Sequence, residues 1–169
     1  MGLSIAISGG IIMFGITYLM FSLGGVTDSI SLMSDSSVQM TEFENKRIKT
    51  EINIESISTS GTDPEFSFDV TNSGLEKLWE FEKFDVIVTY DNAGTTYTEV
   101  MAFSSSCPPT NGEWCVDSFL NDVIDPEILN TGETMTIDTE VSNSLESSSD
   151  LIVVISTQNG IVATGTAVV

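Results

Sequence analysis

The sequence predicts an all-β domain, an immunoglobulin-like antiparallel β-sandwich. A single N-terminal transmembrane helix and a helical stalk precede it. Three observations predict this. Residues 3–26 carry no charged side chain. From Arg47 onward, apolar and polar residues alternate with the period of two that a half-wet strand requires. Turn residues such as Asn92-Ala93-Gly94 and Asn159-Gly160 punctuate the alternating runs. The expected boundaries are 1–27 for the transmembrane helix, 28–46 for the helical stalk or linker, and 47–169 for the extracytoplasmic β-domain.

The first segment is apolar apart from Ser, Thr, Gly and one Tyr. As a helix, residues 3–24 reach about 33 Å, which matches a hydrocarbon core of about 30 Å. Ile5, Ile7, Ile11, Ile12, Phe14, Ile16, Leu19, Phe21 and Leu23 are the expected membrane-anchor residues. A secretory signal needs a basic start and a shorter apolar core, and neither is present. A permanent anchor is therefore expected, with Gly24-Gly25 at its outer end. Gly10 and Gly15 lie five apart, so no G-x-x-x-G packing motif occurs in the span.

Beyond the span, Ile30, Met33, Val38, Met40 and Phe43 recur among Ser, Asp and Gln. Two readings stand side by side. One is an amphipathic helix that packs on a copy of itself, hence a homo-oligomer. The other is a plain spacer, softened by the Ser-rich SDSSVQ stretch.

Seven strands are expected. The first is RIKTEINIES, with Ile48, Ile52, Ile54 and Ile57 against Lys49, Glu51, Asn53 and Glu55. EFSFDVTN follows, then KFDVIVTYD and TTYTEVMAF as a hairpin, then ETMTIDTEV. DLIVVISTQ and IVATGTAVV form a last hairpin on Asn159-Gly160, a pair suited to a primed turn. Between Cys107 and Cys115, CPPTNGEWC reads as a loop that a disulfide closes in an oxidising exterior. Trp114 on that loop is a candidate partner contact, unless it packs over the disulfide. Trp79 is a second candidate contact.

Charge and composition remove several function classes. The 169 residues hold 25 acids and 5 bases, a net charge of −20. Phe84 to Val169 contains no Lys or Arg. Nucleic acid needs cations to neutralise its phosphates, so no nucleic-acid partner is expected. A basic protein partner or a cation-rich exterior suits this charge. With no His in the chain, Ser-His-Asp and Cys-His catalysis and most zinc sites are out. NDVIDPE lacks the fixed ligands and central Gly of an EF-hand, leaving only weak surface Ca²⁺ binding open. No catalytic residue, cofactor or metal site is expected, and the protein is not read as an enzyme. The two cysteines argue for an oxidising exterior around the β-domain, so the expected topology has the N terminus in the cytoplasm and the β-domain outside.

Two further stretches carry a resemblance. VTNSGLEKLWEF ends a strand at Asn72-Ser73-Gly74 and leads through Leu75, Leu78 and Trp79 to the next. DPEILNTGETMTI sets Gly132-Glu133 before another strand. With the apolar N-terminal segment, this arrangement resembles the F/G family of accessory, stator-type proteins of the archaellum, the archaeal flagellum. The resemblance covers essentially the whole chain, through short motifs. It implies a membrane-anchored structural component of the motility machinery, with its β-domain in the pseudoperiplasm. There it would bind an S-layer or other envelope protein and an F- or G-type accessory partner. The alternative is an archaellin- or pilin-like filament subunit. A third reading is an extracellular solute- or ion-binding module.

Overall fold

The computed structural model describes residues 2–122 and 124–169, with side chains given for residues 7–22, 30, 32–122 and 124–169. The chain divides into two compact units, Met1–Glu44 and Asn45–Val169.

One helix, α1 (Gly2–Lys49), runs through both the expected anchor and the expected helical stalk. Thr17 and Thr41 do not break it, because their hydroxyls donate to the carbonyls of Met13 and Ser37. Lys46, Arg47 and Lys49 occupy its last turn, where cations favour the negative end of the helix dipole. That explains a correction to the sequence reading. Ile48 fits the strand alternation but belongs to the helix, and the first strand begins only at Ile52. Among the described residues, no helix is long and apolar enough to cross a membrane. Of the expected anchor residues, the side chains of Ile5 and Leu23 lie outside the described ones, as do Gly24 and Gly25. The other seven are exposed, Phe21 at 81%.

Eight strands form the second unit: β1 (Ile52–Thr59), β2 (Glu65–Asn72), β3 (Asp85–Asn92), β4 (Thr95–Phe103), β5 (Glu113–Leu120), β6 (Thr134–Glu140), β7 (Asp150–Ser156) and β8 (Val162–Val168). They lie in the order β1-β2-β6-β5-β4-β3-β7-β8. Every neighbouring pair is antiparallel except β4 and β5. Those two run parallel and meet over two residue pairs only, Ala102 with Glu113 and Phe103 with Trp114. The all-antiparallel expectation fails at this seam. Two four-stranded antiparallel halves thus face each other and share the narrow β4–β5 join. The end strands close the other side by packing rather than hydrogen bonding. A methyl group at Gly165 of β8 would come 2.7 Å from Cγ2 of Ile54 on β1. The result is nearly a barrel.

The eighth strand is β5, which the sequence reading takes as loop. Two features hide it. A bulge between Val116 and Ser118 breaks the alternation. Trp114 and Cys115 are then buried as consecutive residues. A second bulge, between Ile54 and Ser56, explains why Ile57 stays in phase with Ile54 on β1. The core lies between the halves, built on Phe68, Val70, Val86, Val88, Trp114, Met135, Ile137, Leu151 and Ile155. Each fully buried aliphatic side chain of this kind contributes about 1.5–3 kcal/mol.

The two hairpins divide the turn chemistry differently from the sequence reading. Ala93 and Gly94 both take positive φ, 49° and 74°, as a two-residue primed turn demands. At Asn159-Gly160 only Gly160 does, at 72°. The Thr157 N–H donates to the Ile161 carbonyl, closing a three-residue loop instead of a primed turn. Asn159 is committed elsewhere: its buried Nδ2 donates to the Thr50 hydroxyl at 2.9 Å, just past the helix end.

Candidate partner-binding surface

One pole of the second unit grips the end of α1. Helix termini leave carbonyls without partners inside the helix. Here the Leu75 and Glu76 N–H groups donate to the Lys49 carbonyl at 2.6 and 3.1 Å. The Ser73 and Gly74 N–H groups donate to the Glu51 carbonyl, both at 3.0 Å. Such close approach requires a glycine: a Cβ at Gly74 would collide with the Lys49 carbonyl oxygen and the Glu51 nitrogen.

Asn72 organises this turn from the inside. Its side chain is fully buried. Nδ2 donates to the carbonyls of Glu76 and Leu129, and Oδ1 accepts from the Gly74 N–H. Its backbone joins the second N-[ST]-G turn, accepting from the Gly132 N–H at 2.7 Å and donating to the Glu133 carbonyl at 3.0 Å. In that second turn Asn130 plays a parallel part, its backbone N–H and Nδ2 both donating to the Glu133 carboxylate. The two short motifs singled out in the sequence are therefore one structural device. They hold the Lys49–Glu51 segment within the second unit.

The remaining candidate residues fall into two groups. Cys107 and Cys115 are joined by a disulfide, their Cα atoms 5.7 Å apart. Trp114 is 0% exposed, with its ring edge-on to Phe103 at 4.9 Å. As a partner contact it is corrected: it faces the core, paired across β5–β6 with Thr139. The Trp114 Nε1 and the Thr139 hydroxyl are both buried without a hydrogen-bond partner among the described residues. Trp79 is 49% exposed and borders an open groove of about 420 Å³ with Phe81, Phe103, Val116 and Phe119.

The outer face of β2, β6 and β5 is acidic. Glu140 sits directly opposite Glu65 on one side and Glu113 on the other. Like charges placed opposite one another repel. Glu113 escapes part of this through the Thr110 hydroxyl and N–H, which hold its pKa below the ordinary range. Asp138 has no such donor. Partial burial first, then the charges of Asp117 and Glu65, push its pKa up. Among the described residues no group of His, Cys, Asp or Glu is arranged to hold a metal.

Comparison with solved structures shows a shared fold. The archaellum periplasmic stator protein FlaG from Sulfolobus acidocaldarius superposes with a TM-score of 0.51 at 18% identity, over 70% of this chain and 99% of that one. The same organism's stator complex of FlaF and FlaG gives 0.51 and 18%, covering 70% and 89%. The chain shares its β-fold with archaellum stator proteins. The archaeal flagellum of Methanospirillum hungatei strain JF1 matches along the whole chain, 100% of this chain and 93% of that one, with a TM-score of 0.62 at 15% identity. No protein-family model and no curated protein matches the sequence.

Proposed function

We propose that this protein is a structural component of an archaellum, held at a membrane by the apolar start of α1, with its β-domain outside the cell as a stator element. The observation that carries the reading is the β-domain's likeness to FlaF and FlaG, which reaches 99% of the solved FlaG chain. The exposed apolar run of α1 supports the anchor, since side chains such as Phe14 and Phe21 require an apolar environment that water does not provide. The disulfide supports an oxidising exterior for the β-domain. In this reading the N terminus is cytoplasmic and the strands form an immunoglobulin-like sandwich in the pseudoperiplasm. The partners are an S-layer or other envelope protein, an F- or G-type accessory protein, and a further copy of the chain. The work is mechanical: the protein transmits load through protein contacts and performs no chemistry.

A filament subunit is the second reading, favoured by the full-length match to the Methanospirillum hungatei filament. Gene deletion separates the two. Cells that keep their filaments but stop swimming support the stator. Loss of filaments, with the chain present in purified filaments, replaces the stator with the subunit. Recovery of the protein in the soluble cytoplasmic fraction overturns both the anchor and the topology.

A further inference from the structure

Sheet edges expose unpaired N–H and C=O groups, and proteins blunt them with bulges, charges or cover. Three of the four open edges here are blunted. β1 carries the bulge after Ile54, and β5 carries the bulge after Val116. β8 is packed through Gly165 against Ile54 and Ile57 of β1. The fourth edge, on β4, has no bulge, and its one charge, Glu99, is taken up by the Tyr90 hydroxyl and by Ser142. Its pairing with β3 runs in unbroken register from Thr95 to Met101. On its other side β5 meets it only at Ala102 and Phe103.

The direction of the free groups follows from the bonds at that join. The Ala102 and Ser104 N–H groups donate toward β5, to the carbonyls of Gly112 and Trp114. Backbone groups of an antiparallel strand alternate sides from one residue to the next. Thr96, Thr98 and Val100 therefore direct their N–H and C=O groups to the same side as Ala102. Among the described residues nothing hydrogen-bonds them there. The strand is rich in Thr, Tyr and Val, holds neither Lys nor Pro, and leaves Val100 71% exposed.

We propose that Thr95–Met101 is a docking edge, on which an extended, cationic segment of another protein adds as a further strand beside β4. Charge selects the occupant. No Lys or Arg occurs from Phe84 to the C terminus, and Asp91, Glu146 and Asp150 line an open depression that reaches Thr96 at the start of this edge. A second copy docking edge to edge would set those carboxylates against their own equivalents, whereas a Lys-bearing strand meets them with opposite charge. Main-chain bonds supply affinity in this mode, and side-chain pattern supplies selectivity. The proposal goes beyond the archaellum reading and does not need it.

The test uses the full chain in detergent and a synthetic probe, an eight-residue peptide alternating Lys with Thr and Val. Saturable binding is expected, with slowed amide exchange at Thr96, Thr98 and Val100. Thr98→Pro is tolerated by the fold because it removes an N–H that faces outward from an edge, and it should weaken binding at least tenfold. Val100→Lys keeps every backbone donor and should weaken binding several-fold through like charge. A peptide with Glu in place of Lys, or one N-methylated at alternate backbone positions, should not bind. Unchanged binding by Thr98→Pro, or equal binding of the Glu peptide, overturns the proposal. So does failure of the Lys peptide to bind. Edge protection that appears with protein concentration alone, and disappears in Thr98→Pro, assigns the edge to a second copy and overturns it too. None of these results bears on the deletion experiment, so the two readings fail independently.

Discussion

The first part of α1 and the β-domain are both rich in apolar side chains, yet they treat them in opposite ways. In the β-domain, Phe68, Val70, Val88 and Ile137 are shut inside two facing half-sheets. In residues 7–22, Ile11, Met13, Ile16, Leu19 and Phe21 stand on all sides of one helix with their surfaces open. Burial of an apolar side chain is favourable wherever it happens. The β-domain supplies that environment from its own strands. The helix requires it from a bilayer or from neighbouring helices. Stability and location are therefore written in different parts of the chain and should respond to different substitutions.

The sharpest way to break that separation is Trp114→Ala. Removing a fully buried aromatic from the seam should cost about 3–5 kcal/mol of β-domain stability. Thermal melting checks this, and membrane fractionation should remain unchanged. Conversely, Phe14→Asp should cost about 2.5–3.5 kcal/mol of membrane insertion while leaving the melting transition in place. Flotation on a density gradient reads the first effect. A shifted melt would show that the two regions are not independent. Asn72→Ala lies in the turn that holds the Lys49–Glu51 segment within the second unit. It removes the Asn72 donor from the Glu76 carbonyl and one of two bonds from each of the Leu129 carbonyl and the Gly74 N–H, for a loss of about 1–3 kcal/mol. Chemical denaturation should report it as an earlier midpoint.

The smallest expected effect is electrostatic. Asp138 has a folded-state pKa above its unfolded value, first through burial, then through Asp117 and Glu65. The folded state thus holds its proton more tightly, and its contribution to stability is lost as pH rises through that pKa. Asp138→Asn should therefore gain about 0.5 kcal/mol at neutral pH, an amount kept small by solvent screening. The gain should vanish as the pH falls below the ordinary carboxylate range. Melting curves of both proteins across that interval test the sign.

Much of this arrangement was legible in the residue order, for a physical reason. EFSFDVTN, DVIVTYDN and DLIVVIS each send alternate residues to the core, so period two survives intact. It failed where geometry departs from that period. The bulge at Asp117 hid β5, and the helix continued through Ile48 because its last turn suits three cations. Asn72-Ser73-Gly74 was visible as a motif. Its role was not, since Gly74 grips a residue 23 positions earlier in the sequence, Glu51, by proximity that no local pattern encodes. The Trp79 and Trp114 pair shows the same limit. Identical side chains end up half open and fully enclosed according to which strand or loop carries them.

The grip on Lys49 has one more consequence. The peptide chain leaves α1 and enters β1 within two residues, a point where a pull along the helix would ordinarily peel the first strand away. The Leu75 and Glu76 N–H groups catch the chain before it gets there, and Gly74 and Ser73 catch it again at Glu51. They act as the strain relief on a cable does, anchoring the cord to the housing so that the soldered joint behind it carries no tension.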